Sequence, residues 1–493
     1  MHTLLFAALL AQVKHPCSPC HAEIVRTYGQ TAMARTSGRV VASQHQQSAS
    51  FLEPKTGTTY SVDADLNLHF AKGADVVGVR KLDWFIGSGR VGRSYLFGLD
   101  QRLFQAPLSY YSEAKHWQLS PGFDKRPTLD LTRAVEPSCL NCHSSQFDAA
   151  RLVIEPGISC ERCHGDSTRH IASSGKLPVV NPSKLAPHER DSVCAQCHLT
   201  GAARVARYQA NGRSYVPGLK LSDFSAVFSA EANEAAGAIG VTSHFEKMMI
   251  SQCKLASGDS FTCTTCHDPH SEPKDAAVYF NSRCQSCHAS KPCVKQPQGN
   301  CIECHMPKAA GRGVDHSSYT DHSIARKPRA AAAGNGSELK YFWGGEAAAR
   351  DLGLAYAALQ RFEGAKGLLE AAAKKNPNDL AALSQLAQIY DREGREDLAG
   401  PLYQAVLKLD ASHSSSSANL GVIRVKQGQV DAAIALWRTS LKVNPAQTGV
   451  RMNLAQALMR KGDRAAARAE MELALKYDPD QPNLRRLLQQ LPR

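Results

Sequence analysis

The sequence predicts a mainly α protein in two unlike parts. The first is a motif-dense region with little regular structure and a small β insertion; the second is an α-solenoid. Three observations predict this. The pentapeptide Cys-x-x-Cys-His occurs seven times, always before Pro307. Residues 51–117 lack the motif and alternate apolar with polar residues between Gly and Asp turns. After about Glu338 there is no cysteine, Ala and Leu dominate, and a pattern recurs every 34 residues.

The seven motifs are Cys17–Cys20–His21, Cys139–Cys142–His143, Cys160–Cys163–His164, Cys194–Cys197–His198, Cys263–Cys266–His267, Cys284–Cys287–His288 and Cys301–Cys304–His305. Two thiols two residues apart reach the two vinyl groups of one porphyrin, and the adjoining His then lies beneath the ring as an iron ligand. This is the attachment signature of c-type haem. A zinc site or a redox dithiol also uses Cys-x-x-Cys. Neither needs a His at the fifth place, and fourteen of the sixteen cysteines here fall in pairs followed by one. The sequence therefore calls for seven covalently bound haem c groups, with iron.

In chain order, Met1 to Gln12 has an apolar stretch and a small residue at Ala11, and reads as a signal peptide or its remnant. Covalent haem attachment in bacteria takes place outside the cytoplasm, so a periplasmic or extracellular location is expected. No other run approaches the length needed to span a bilayer, so the protein is not expected to be integral to a membrane. Residues 13–320 form the heptahaem region. Within it, Thr58–Val62, Asp75–Val79 and Ser94–Phe97 read as strands of the insertion, which we expect over the first haem. Six motifs crowd into about 175 residues from 133 to 306, too many for a side-chain core, so porphyrin faces must supply buried apolar surface. The leftover Cys253 and Cys293 suggest a disulfide in an oxidising compartment, with two separate thiols as the alternative.

From Pro307 the chain reads as an extended connection. The linker is bounded at 321–340 and includes the flexible composition Ala330–Ser337. Residues 341–493 form the solenoid. Leu352, Leu386, Leu420 and Leu454 recur in phase, as do Ala365, Ala399, Ala433 and Ala467. Pro377, Pro445 and Pro479 close three units. Small residues at a helix crossing and a helix-ending Pro define the tetratricopeptide pattern: four repeats and a capping helix from Pro482. Such a solenoid offers a surface to a protein partner or a second copy of itself.

Formal charge is +13. Nucleic acid is nevertheless not an expected partner. No Lys/Arg run is interleaved with aromatics, and each haem adds two propionates that basic residues neutralise.

Twelve histidines lie outside the motifs, enough to give every haem a second axial His. His170 follows His164 closely, and His270 follows His267 across a Pro that turns the chain away from its own haem. His244, His316 and His322 flank the last three motifs, while His69 and His116 are more distant candidates. His15, His45, His188 and His413 read as surface residues. Met33 is a candidate axial ligand for the first haem, which would raise its potential.

The segments Ser159–Gly165, Cys263–His270 and Cys301–Lys308 resemble the multihaem cytochrome c superfamily. That superfamily includes cytochrome c-554-type carriers, pentahaem nitrite reductase and octahaem hydroxylamine oxidoreductase. The layout resembles bacterial proteins in which such a domain is fused to tetratricopeptide repeats. The resemblance implies distal-ligand roles for His170, His270 and His322. It also implies an electron carrier more than an enzyme, because the Cys-x-x-Cys-Lys motif of the nitrite reductases is absent. The expected function is electron transfer between extracytoplasmic redox proteins. The alternative is reduction or oxidation of a small nitrogen or sulfur oxyanion at one haem with an open coordination site.

Overall fold

The computed structural model describes residues 15–41, 49–54, 56–123, 131–148, 153–207, 215–230, 239–240, 244–289, 293, 299–312, 318–325 and 338–490. The leader at 1–12, His45, His316 and Ala330–Ser337 lie outside them.

The chain opens with helix α1 (Ser18–Tyr28) and strand β1 (Ser37–Arg39). The expected β insertion follows, in two antiparallel sheets. Strands β2 (Ala49–Glu53), β3 (Thr58–Val62), β4 (Asn67–Lys72) and β5 (Asp75–Lys81) form a meander. Strands β6 (Trp84–Ile86), β7 (Gly92–Leu99), β8 (Arg102–Tyr111) and β9 (His116–Leu119) join β1 in the order β1-β6-β7-β8-β9. Alternation decides the faces: β3 buries Thr58, Tyr60 and Val62 and leaves Thr59 and Ser61 half-buried. The inward residues, among them Tyr60, Phe70, Tyr95, Phe97 and Phe104, make one apolar cluster.

This insertion covers the second motif, where the sequence pointed to the first. Trp84, Leu96 and Leu103 pack with Val135, Leu140 and Cys139 of helix α2 (Pro137–His143). β1 adds the Ser37 hydroxyl, which donates to the His143 carbonyl. The remaining motif region is made of short elements. These are β10 (Ser144–Phe147), β11 (Val153–Pro156), α3 (Glu161–His164), α4 (Thr168–Ala172), α5 (Pro187–His198), β12 (Ala203–Ala206), α6 (Leu221–Phe224), β13 (Ser225–Ala230) and β14 (Ile239–Gly240). After them come α7 (His244–Met249), α8 (Gln252–Ser257), α9 (Cys263–Cys266), α10 (Ala276–His288), α11 (Cys301–His305), β15 (Lys308–Arg312) and β16 (Ser318–Thr320).

The solenoid is four helix pairs and a cap: α12 (Ala349–Ala358) with α13 (Phe362–Lys375), α14 (Leu380–Arg392) with α15 (Glu396–Leu409), α16 (Ser414–Lys426) with α17 (Val430–Val443), α18 (Thr448–Arg460) with α19 (Arg464–Tyr477), and α20 (Pro482–Gln490). Ala365, Ala399, Ala433 and Ala467 are each fully buried, so the four-unit phase is a packing requirement. At each helix crossing a small residue faces a large one sixteen residues later. A Cβ on Gly421 would come within 2.5 Å of Trp437 Nε1, whereas on Gly353 it would meet Leu369 at 3.0 Å.

Both ends of the solenoid are fastened to the motif-bearing half. Strand β17 (Leu339–Tyr341), at the end of the expected linker, pairs with β13. Arg207, directly after β12, bonds Asp351 at 2.9 Å, and Arg350 donates to the Ala206 carbonyl. At the far end Tyr477 and Ala446 join the apolar cluster of the β insertion. Lys72 pairs with Asp480 at 2.8 Å, and Tyr477 donates to Asp100 at 2.6 Å. The first repeat is therefore held by β12 and β13, and the last by the β insertion.

Candidate haem-binding centre

Six motifs end a helix or a short helical turn with the His last or just beyond it, whereas the first motif opens α1, where His21 breaks the helical conformation at φ −122, ψ 38. Gly165 ends α3 with φ +70, a conformation that favours glycine, and so releases the chain straight after His164. Apart from α2, which buries Leu140, and α5, which buries five residues, the motif helices have almost no side-chain core. Helices α1, α3, α4, α9, α10 and α11 bury no residue, and apolar side chains beside them are open: Val278 is 68% and Leu255 63% exposed. A short exposed apolar helix is unstable in water. These side chains make a cradle suited to a flat apolar group at each pair of thiols.

The histidines are paired across the fold. His21 and His170 have ring centroids 6.4 Å apart with planes 14° from parallel. His164 and His270 are 6.0 Å apart at 10°, and His267 and His322 are 6.1 Å apart at 23°. Two imidazoles that share one metal at about 2 Å from each nitrogen have centroids roughly 6 Å apart. His198 and His244 are 5.6 Å apart. His244 and His322 are 4.6 Å apart, too close to admit a metal between them, so His322 belongs with His267.

Backbone carbonyls set the ring orientation. Nδ1 of His164 bonds the Val180 carbonyl at 2.8 Å, that of His170 bonds Leu177 at 2.7 Å, and that of His322 bonds Thr320 at 3.0 Å. His305 meets the Ala325 carbonyl, and His143 meets both the carbonyl and the hydroxyl of Thr36. An Nδ1–H held in this way leaves the Nε2 lone pair for a metal. Burial lowers the pKa of His143, His198, His270 and His322. Burial and the neighbouring His322 pull His244 down to about 3 and His267 to about 4. All six are therefore held as neutral imidazoles, the form that ligates.

Other candidates lie elsewhere. His69 is on β4, with Nε2 paired to Asp63 at 2.8 Å. His116 is on β9, with Nδ1 bonded to the Ala114 carbonyl at 2.9 Å. Met33 lies in the turn after α1, where its carbonyl accepts from Ile158. Three histidines read as surface residues are half-buried. His15 Nε2 is 3.6 Å from Cys160 Sγ, His188 packs on Trp343 at 4.4 Å, and His413 caps α16. No disulfide joins Cys253 to Cys293. Cys253 sits instead on α8 among the fifth and sixth motifs, where burial raises its pKa and the Cys287 thiol adds to the rise.

Two features carry no sequence signal: the Thr36 contact with His143, and a buried ion pair between Lys254 and Asp191 at 3.6 Å. That pair ties α8 to α5, and so the fifth motif to the fourth.

Comparison with known proteins agrees with this division. Residues 110–165 match the family described as cytochrome c554 and c-prime. Residues 350–414 and 424–491 match two tetratricopeptide repeat families. Over 185 residues the chain is 25% identical to the multiheme cytochrome MtrA of Shewanella baltica (strain OS185). That match covers 31% of this chain and 53% of MtrA, so the chain spans about half the length of the curated relative. Among solved structures, a crystal structure of MamA aligns over 28% of this chain and 81% of its own, at 19% identity and TM-score 0.26. YrrB, described as a TPR protein with an unusual peptide-binding site, aligns over 29% and 73%, at 17% identity and TM-score 0.26. The chain is thus similar to multihaem c-type cytochromes over part of its first half and matches tetratricopeptide repeats over its C-terminal part.

Proposed function

We propose that this chain carries electrons between protein partners outside the cytoplasm through seven haem c groups, one at each motif. The observation that supports this best is the set of paired imidazoles. His21 with His170, His164 with His270, His267 with His322 and His198 with His244 would each hold one iron from both sides. Such a site has no free position for a substrate. His143, His288 and His305 are the proximal ligands of the other three groups, with His69, His116 and His316 as candidates for their second ligand. Haem iron supplies one-electron exchange between ferric and ferrous states, at potentials set by its ligands and surroundings. The chain supplies attachment through fourteen thiols, ring orientation through carbonyls bonded to Nδ1, and a spacing that keeps neighbouring groups close.

The repeats serve interaction. Their two ends are used internally, which leaves the concave face for a protein partner. A cavity of about 100 Å³ lies between α16 and α18, lined by Val422, Lys426, Trp437 and Arg460 among others.

The test is the haem content of the purified protein, with electron paramagnetic resonance of its fully ferric form. Seven haems with low-spin signals at the four paired sites are expected. A high-spin signal that shifts on adding nitrite or hydroxylamine would overturn the carrier reading in favour of an enzyme.

A further inference from the structure

The motifs differ at their two variable positions, and in three of them the second variable residue is tied to another motif. These residues are Asn141, Arg162 and Gln196, in the second, third and fourth motifs. Arg162 Nη2 donates to the Asn141 carbonyl at 2.8 Å. Gln196 Nε2 donates to the Arg162 carbonyl at 2.8 Å. Cys197 Sγ is 3.9 Å from the same Asn141 carbonyl. Each of the three motifs therefore touches the other two.

Arg162 stands at the centre with a donor to spare. Its Nε is shielded from solvent and has no hydrogen-bond partner among the described residues, as is also true of Gln196 Oε1, while the guanidinium lies against the Cys197 thiol. Among the described residues Arg162 has no carboxylate partner either. A shielded guanidinium N–H left unbonded is destabilising, because it has given up its water without gaining an acceptor. The acceptors that attached porphyrins bring are carboxylates, the partners to which guanidinium bonds most strongly.

The other motifs lead away from this knot. The first joins the third: His15 Nε2 lies 3.6 Å from Cys160 Sγ, and the Tyr28 hydroxyl donates to the Ile158 carbonyl at 2.7 Å. The fifth joins the fourth, with Lys254 on α8 paired to Asp191 on α5. Phe280 of α10 packs on His267 at 5.2 Å, and the Cys301 amide donates to Asn281 of α10 at 2.9 Å, which brings in the sixth and seventh.

We propose that Arg162 is a positioning residue that locks the second, third and fourth haems into a three-way electron junction and compensates their propionate charge. The array is then branched, with one arm to the first motif, one to the fifth, sixth and seventh, and the second as a side branch under the β insertion. The inference rests on the haem reading above. In each exchange one iron is oxidised as its neighbour is reduced, with no bond made or broken, so separation and local charge govern the flow.

The test uses the full-length, haem-loaded protein with Arg162→Met and Arg162→Lys, in redox titrations followed by electron paramagnetic resonance after haem content is measured. Loss of the cation favours the oxidised iron. Arg162→Met should therefore keep all haems and lower the midpoints of three of them together, while Arg162→Lys recovers most of that shift. A shift in one haem, or in none, overturns the junction. If Arg162→Met does not load haem, anomalous diffraction from the unaltered protein decides. Irons of the second, third and fourth motifs as mutual neighbours support the proposal, and the third iron standing between the other two overturns it. An unaltered protein without haem would sink the haem reading itself.

Discussion

The rings of His164 and His270 face each other at 6.0 Å with planes 10° from parallel, although one belongs to the third motif and the other follows the fifth. One is placed by a distant carbonyl and the other by its own turn. His164 is aimed by the Val180 carbonyl, and His270 by the turn at Asp268, whose carboxylate accepts from the His270 amide at 2.8 Å. His270→Ala should convert one low-spin ferric haem to high-spin and leave the haem count unchanged. His270→Met should keep that haem low-spin and raise its potential. Ferric spin-state quantification with a redox titration checks both; unchanged spectra in the Ala variant would remove His270 from the ligand set.

The pair Lys254–Asp191 is almost fully enclosed, and Lys254 also donates to the Phe261 carbonyl at 3.1 Å. Removal of one partner leaves a buried charge uncompensated. Lys254→Ala should therefore cost about 3–5 kcal/mol. Urea unfolding measures this, and a loss below about 1 kcal/mol would show that Arg190, 3.3 Å from Asp191, compensates.

Gly421 is required by the bulk of Trp437, whose Nε1 donates to the Ala418 carbonyl and so cannot swing aside. Gly421→Ala should destabilise the solenoid by about 1–3 kcal/mol. The same change at Gly353, whose Cβ would meet Leu369 at 3.0 Å and Leu368 Cβ at 3.1 Å, should cost less than at Gly421. Paired thermal melts of the two variants give the comparison, and equal losses would contradict it.

The far-end clamp should open in acid. Lys476 and the Tyr477 hydroxyl hold the Asp100 carboxyl below its usual range. A carboxylate depressed in the folded state contributes stability above its unfolded pKa, near about 3.9. That contribution disappears as the pH falls through the lower folded value. The clamp is exposed, so its worth is under about 1 kcal/mol. Limited proteolysis of the last repeat should thus accelerate below about pH 4. Asp100→Asn should show the higher rate already at neutral pH.

The clamp also changes what a truncation means. Deletion of 448–493 removes Tyr477 from the apolar cluster that it shares with Phe104 and Phe97. It should therefore make the β insertion susceptible to protease as well as shortening the solenoid. A solenoid attached only through its first repeat would leave the insertion as resistant as before.

Much of the local pattern was legible in the sequence, although strands such as Ala203–Ala206, Ser225–Ala230 and Leu339–Tyr341 were not. A thiol pair and its His are three positions of one helical turn, so the motif needs no distant residue to be recognised. The repeat is equally plain, because each unit must present Ala365, Ala399, Ala433 or Ala467 to its own neighbouring helix. Strands such as Thr58–Val62 declare themselves by alternation between a buried and an open face. His170, His270 and His322 could be singled out by position relative to a motif and by family resemblance.

Which imidazole faces which could not be read, and neither could the knot of Asn141, Arg162 and Gln196. Thr36 meets His143 across 107 residues, and Thr58 meets Asp480 across 422. Such contacts depend on how short elements pack, and no periodicity records that. The physical reason is that attachment and repeat packing are satisfied within a helix or between adjacent ones. Axial pairing, the motif junction and the closure of the solenoid onto the β insertion arise only when separate parts of the chain fill the same space. The sequence alone determined the motifs and the repeat; the tertiary structure alone decided which side chains meet.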